Sequence, residues 1–174
     1  MSENTTTLKS GLNLMYPTYL HFCSTDIHDP WLTSALQNEV DESLKYYMYK
    51  QFDDFLYNMM GGRIAEWSNY KIDGWINRYE NTEMEYHTHS GAHISAVVYL
   101  ESNPDSGGEI GFYDPRPNVS RGYDMRFRKN FNPTYHAPKT GDVLIFPSYL
   151  YHSVKAATHT RISCALDLFL YADN

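Results

Sequence analysis

The chain has 174 residues, a length that suits one domain with a sizeable core and leaves little room for a second. Hydrophobic residues at 42% and aromatics at 16% argue against a disordered chain, and a net charge of −7 argues against a nucleic-acid partner held by bulk positive charge. Two widely separated cysteines, Cys23 and Cys164, rule against a disulfide framework or a thiolate zinc site, and the polar start with no long apolar run leads us to expect a cytoplasmic protein that does not use the membrane.

Residues 1–12 read as a flexible polar arm, 13–62 as a strand and helices, and 63–174 as a β-rich core. The aromatic stretch from Tyr16 to Cys23 suits an edge strand entered through Pro17. Asp29-Pro30 has the form of a helix start, with Asp29 as the cap. From Trp31 to about Asn58 apolar residues recur at helical spacing, with a break near Asp41 or Ser43, and Gly61-Gly62 ends the run. Short β-type segments follow at residues 74–79, 93–100, 108–113, 142–146 and 161–169, separated by Gly- and Pro-rich turns. Many short strands with such punctuation predict a mainly β sandwich or barrel. The aromatic and polar stretch 115–138 reads as a lid-like loop, and the basic cluster Arg116, Arg121, Arg126, Arg128 and Lys129 as a solvated part of it.

Eight histidines are unevenly spread. His87 and His89 are two apart, so on a strand both imidazoles face one side and can share a cation. His152 follows the strand-like 142–147 and can meet them across a rolled sheet. Three ligands on one face leave coordination positions open, the layout of a catalytic metal centre. Arg161 and Ser163 also share a face. Arginine offers a planar fork to a carboxylate and serine adds a donor. An internal salt bridge explains Arg161 nearly as well. Glu85 lies two residues before His87 and is a candidate substitute ligand, as are Glu109 and Asp114. His93, Asn77 and Arg116 are further candidates to line the pocket.

The spacing His87-x-His89, then His152, then Arg161-x-Ser163 nine residues on, resembles the 2-oxoglutarate and Fe(II)-dependent oxygenases. Tyr99-Leu100 followed by Gly107-Gly108-Glu109 and Phe112 is similar to the prolyl-hydroxylase-like branch. Trp75-Ile-Asn77-Arg-Tyr79 and Asp114-Pro-Arg116 resemble uncharacterised oxygenases of this superfamily from marine bacteria and their phages. The likeness runs from about Gly74 to Phe169. It implies a double-stranded β-helix (a jelly roll of cupin type) with N-terminal helices packed on the major sheet. It implies Fe(2+) and 2-oxoglutarate as cofactors, O2 as co-reactant, and hydroxylation of a small-molecule or peptide substrate. His87 and His152 would be iron ligands, and Arg161 and Ser163 would take the distal carboxylate of 2-oxoglutarate. Tyr99 would assist there, and Tyr79 would lie near the metal end of the cosubstrate. One departure stands out: His89 occupies the place of the family's carboxylate ligand. Two other readings stay open. One is a three-histidine cupin-like dioxygenase that does not use 2-oxoglutarate; the other is a jelly-roll binding module without catalysis. The fate of Arg161 separates the first two.

Overall fold

The structure is a computed structural model that describes residues 18–116 and 133–172. The expected arm, the Tyr16-Pro17 start, most of the lid-like loop and the basic residues 121–129 lie outside these residues.

Strand β1 (His21–Ser24) precedes two helices, α1 (Asp29–Leu36) and α2 (Glu42–Met60). Asp29 is the first helical residue and not the cap: Trp31 N–H donates to the His28 carbonyl at 3.0 Å, which opens the helix one residue earlier. The break between the helices falls where Asp41 accepts a hydrogen bond from Ser43 N–H at 2.8 Å and caps α2. Such a cap stabilises a helix by about 1 kcal/mol. Gly61, at φ 78°, closes α2 in the left-handed conformation that a glycine adopts without strain. Leu44, Met48, Phe52 and Leu56 recur every four residues and form the buried face of α2.

The rest of the chain is β2 (Asn69–Tyr79), β3 (Met84–His87), β4 (Ile94–Glu101), β5 (Ile110–Phe112), β6 (Thr134–His136), β7 (Asp142–Pro147), β8 (His152–Val154) and β9 (Arg161–Tyr171). These make two antiparallel sheets, the larger in the order β1-β7-β4-β9-β2 and the smaller in the order β3-β8-β5-β6. The architecture is a mainly β jelly roll. No helix among the described residues is long and apolar enough to cross a membrane.

Strands β4, β7 and β9 are buried on both faces and therefore read as nearly unbroken apolar runs. One face carries Ile94, Ala96, Val98, Val143, Ile145, Ile162, Cys164, Leu166 and Leu168 into a core shared with α1 and α2. Burial there pushes the Cys164 thiol up to about 12, so it stays protonated. The opposite face supplies Val97, Tyr99, Leu144 and Phe146 to a second cluster, which Ile110, Phe112 and Val154 complete from the smaller sheet. The space left between the sheets holds the polar residues of interest.

Candidate metal centre

His87 ends β3 and pairs in register with His152, the first residue of β8. His89 lies beyond the strand, just before the Ser90-Gly91 turn, and is fixed by its N–H to the Ser148 carbonyl at 3.1 Å. The two early histidines therefore meet through a strand end and the irregular segment after it, not through strand alternation. The ligand nitrogens of His87, His89 and His152 all lie within 4.8 Å of one another.

Each ring is oriented by its Nδ1. His87 Nδ1 lies 2.7 Å from the Glu85 carbonyl and His152 Nδ1 lies 3.0 Å from the Leu150 carbonyl. A carbonyl only accepts, so both rings carry their proton on Nδ1. His89 Nδ1 donates in the same way to Asp167 Oδ1 at 2.7 Å. All three Nε2 lone pairs are thereby left for a cation, with no hydrogen-bond partner among the described residues. Burial also pulls the pKa of His152 down to about 4, which keeps that ring neutral and able to coordinate at neutral pH.

The histidines open into a cavity of about 390 Å³ that runs to Arg161 and is also lined by Trp75, Asn77, Tyr79, Tyr99 and Ser163. That volume falls within the ordinary range for small-molecule sites. The register of the large sheet explains the grouping: Ser163 is paired with Asn77 on one side and Tyr99 on the other, and Arg161 is paired with Tyr79. Arg161 is 3% exposed. Its Nη1 donates to the Gly108 carbonyl at 2.9 Å, its Nε has no partner, and no acid among the described residues pairs with it. Burial lowers its pKa, with the neighbouring Tyr99 and Tyr79 opposing the shift. Burial raises that of Tyr99, so its hydroxyl stays a donor. A desolvated guanidinium that lines a cavity and has no acid partner among the described residues suits an anion.

Residues 73–167, more than half of the chain, match the family described as "Putative 2OG-Fe(II) oxygenase". The chain belongs to this family. Among solved structures it resembles the viral collagen prolyl hydroxylase of Paramecium bursaria Chlorella virus-1, at 13% identity and TM-score 0.54, over 89% of this chain and 97% of that one. It also resembles a Pseudomonas putida prolyl-4-hydroxylase, at 18% identity and TM-score 0.51, over 75% and 68% of the two chains. A Burkholderia pseudomallei oxidoreductase of the 2OG-Fe(II) oxygenase family matches at 22% identity and TM-score 0.49 over 67% of this chain, which spans only 51% of that protein. The first two likenesses bear on the jelly-roll fold. No curated protein matches the chain.

The family's cofactors are Fe(2+) and 2-oxoglutarate, and the residues of this 2OG-Fe(II) oxygenase family member fit both. Three imidazoles with free Nε2 atoms suit a ferrous ion. The guanidinium of Arg161 and the hydroxyl of Ser163, both on residues that line the cavity, suit a carboxylate.

Several expected residues fall elsewhere. Glu85 is exposed and lies outside the cavity, because a bulge between Met84 and His87 breaks the two-residue alternation. Its backbone carbonyl, not its carboxylate, serves the site. His93 is exposed on the edge of the helix-side core, where its Nδ1 accepts from Leu170 N–H at 3.2 Å and its ring faces Trp67. Arg116 pairs with Asp114 and Glu109 lies 4.0 Å from Lys155; none of the three lines the cavity. Tyr79 lines the cavity with Arg161 over its ring at 5.6 Å. Sequence reasoning missed Asp167 and Ser95, and did not foresee Trp75 against His89, with ring centroids 5.3 Å apart. A charged residue inside the apolar run of β9 was the signal for Asp167.

Proposed function

We propose that this protein couples the decarboxylation of 2-oxoglutarate to the hydroxylation of an organic substrate. The observation that carries the reading is Arg161, a buried cation that no acid among the described residues pairs with, in a cavity that also holds three imidazoles. A three-histidine dioxygenase that dispensed with 2-oxoglutarate would need an anionic substrate of its own to occupy that guanidinium. Two of the similar structures are prolyl hydroxylases, so a peptide is within the proposed substrate range beside small molecules.

His87, His89 and His152 would hold the ferrous ion through Nε2. Arg161 and Ser163 would bind the distal carboxylate of 2-oxoglutarate, with Tyr99 and Asn77 flanking its chain and Tyr79 backing the guanidinium. With both cofactors bound the centre supplies the oxidising chemistry: O2 and 2-oxoglutarate are consumed, succinate and CO2 leave, and a substrate C–H becomes C–OH. The protein's own part is orientation and exclusion of water. Val97, Ile110, Val154 and Ala165 give the cavity apolar walls, which strengthen the Arg161 contact.

The test is anaerobic titration of the ferrous protein with 2-oxoglutarate, followed by the weak visible charge-transfer band, together with an assay for succinate. Arg161→Ala should weaken 2-oxoglutarate binding by roughly 10- to 150-fold, the equivalent of a charge-assisted contact of about 1.5–3 kcal/mol. Unchanged affinity in that variant would remove Arg161 from the site and favour the cosubstrate-free reading.

A further inference from the structure

The three-histidine set leaves an electrostatic gap. Two imidazoles and one carboxylate reduce a ferrous centre to a net charge of +1, whereas three neutral imidazoles leave it at +2. The structure holds a carboxylate just behind the substituted ligand. Asp167 is 5% exposed. Its Oδ1 accepts from His89 Nδ1 at 2.7 Å and from Ser95 Oγ at 2.6 Å, and Ser95 Oγ in turn lies 2.7 Å from Ser148 Oγ. No lysine or arginine among the described residues pairs with it. The neighbouring Asp73, opposite Asp167 in register, is half-exposed and satisfied by Lys71 at 2.7 Å. A buried carboxylate without a cation is costly. Among the described residues its one charge-capable partner is the His89 ring, whose other nitrogen belongs to the three-histidine group.

We infer that Asp167 supplies, from behind His89, the negative charge that the ligand set itself lacks. It is a positioning residue: it holds the His89 proton on Nδ1, turns Nε2 toward the cation and brings the charge of the centre back to +1. The inference rests on reading the three histidines as the metal centre.

The experiment measures anaerobic Fe(II) and Co(II) affinity of the full chain by chelator competition. It compares wild type with Asp167→Asn, His89→Asp and the double variant. Asparagine keeps the shape and an acceptor oxygen for Nδ1–H but removes the charge. Asp167→Asn should bind metal about 10- to 100-fold more weakly, the usual loss when a ligand's supporting partner is changed. His89→Asp sets two carboxylates against each other and should also bind weakly. Combining the two changes moves the single charge into the ligand position and should restore affinity to within a few fold of wild type. A merely structural Asp167 gives additive losses instead. If Asp167→Asn fails to fold, His89→Asp, which keeps Asp167, still decides: it should bind Co(II) more weakly than wild type although it restores a carboxylate ligand, and wild-type or tighter affinity overturns the inference. Wild-type affinity in Asp167→Asn, or a double variant no tighter than His89→Asp, overturns the inference and leaves the metal centre standing. Folded wild type without saturable Co(II) binding overturns both.

Discussion

Gly108→Ala isolates the link between a backbone turn and cosubstrate binding. Gly108 sits at φ +78°, where a Cβ would stand 3.1 Å from Arg161 Nη1 and 3.2 Å from Ala157 Cβ. The left-handed backbone alone costs an L-residue about 1–2 kcal/mol. In a chain of this size each kcal/mol lowers Tm by roughly 2–4 °C. The crowding has a separate effect, because the nearest neighbour is the guanidinium nitrogen that the Gly108 carbonyl holds at 2.9 Å. Displacing that fork forfeits part of a contact of about 1.5–3 kcal/mol, and losing about 1.4 kcal/mol is a tenfold change. The variant should therefore show a lower Tm and about tenfold weaker 2-oxoglutarate binding, with metal affinity unchanged. Thermal melts and the anaerobic titration read the two effects independently. A lower Tm with wild-type 2-oxoglutarate affinity would refute the reasoning, since Arg161 would then not depend on its carbonyl support.

Two further outcomes follow from burial. His152 has a folded pKa of about 4 against an unfolded value of about 6.5, so the unfolded chain binds the extra proton first. Its contribution is complete above about pH 6.5 and is lost as pH falls toward 4, on the order of 3 kcal/mol in metal-free protein. Urea unfolding at pH 7 and pH 4.5 should show this loss in wild type and much less of it in His152→Gln; equal losses would contradict the assignment. Phe52 is fully buried between α2 and the large sheet, and Phe52→Ala should cost about 3–5 kcal/mol of stability, measured by denaturant unfolding. A loss below about 1 kcal/mol would show that α2 does not cover that face.

Much of this arrangement was legible in the residue order. The helix break at Asp41, the glycine stop at Gly61 and the strands carrying Tyr99 and Arg161 follow from local signals that the tertiary fold leaves unopposed. The grouping of His87, His89 and His152 was legible as composition and spacing, though not as geometry. What spacing could not reveal was the bulge between Met84 and His87, because one extra residue in a strand leaves no trace in periodicity yet turns Glu85 away from the cavity. His93 belongs to the same lesson: it adjoins β4 but precedes the strand, so its side chain goes to the helix side. Strands β6 and β8, three residues each, are too short for a pattern and exist through their neighbours. Asp167 lies 78 residues from His89, and a pairing at that range is set by topology alone.

Strand β9 is threaded like a two-sided zip. Arg161, Ser163, Ala165 and Asp167 line the cavity, while the alternating Ile162, Cys164, Leu166 and Leu168 lock into the helix-side core. No joint lies between these two duties. A bulkier side chain at Cys164, or a smaller one at Met48 on α2, shifts the backbone that aims the guanidinium. Loss-of-function changes are therefore to be sought on the far side of the sheet as well, among residues that never touch a reactant.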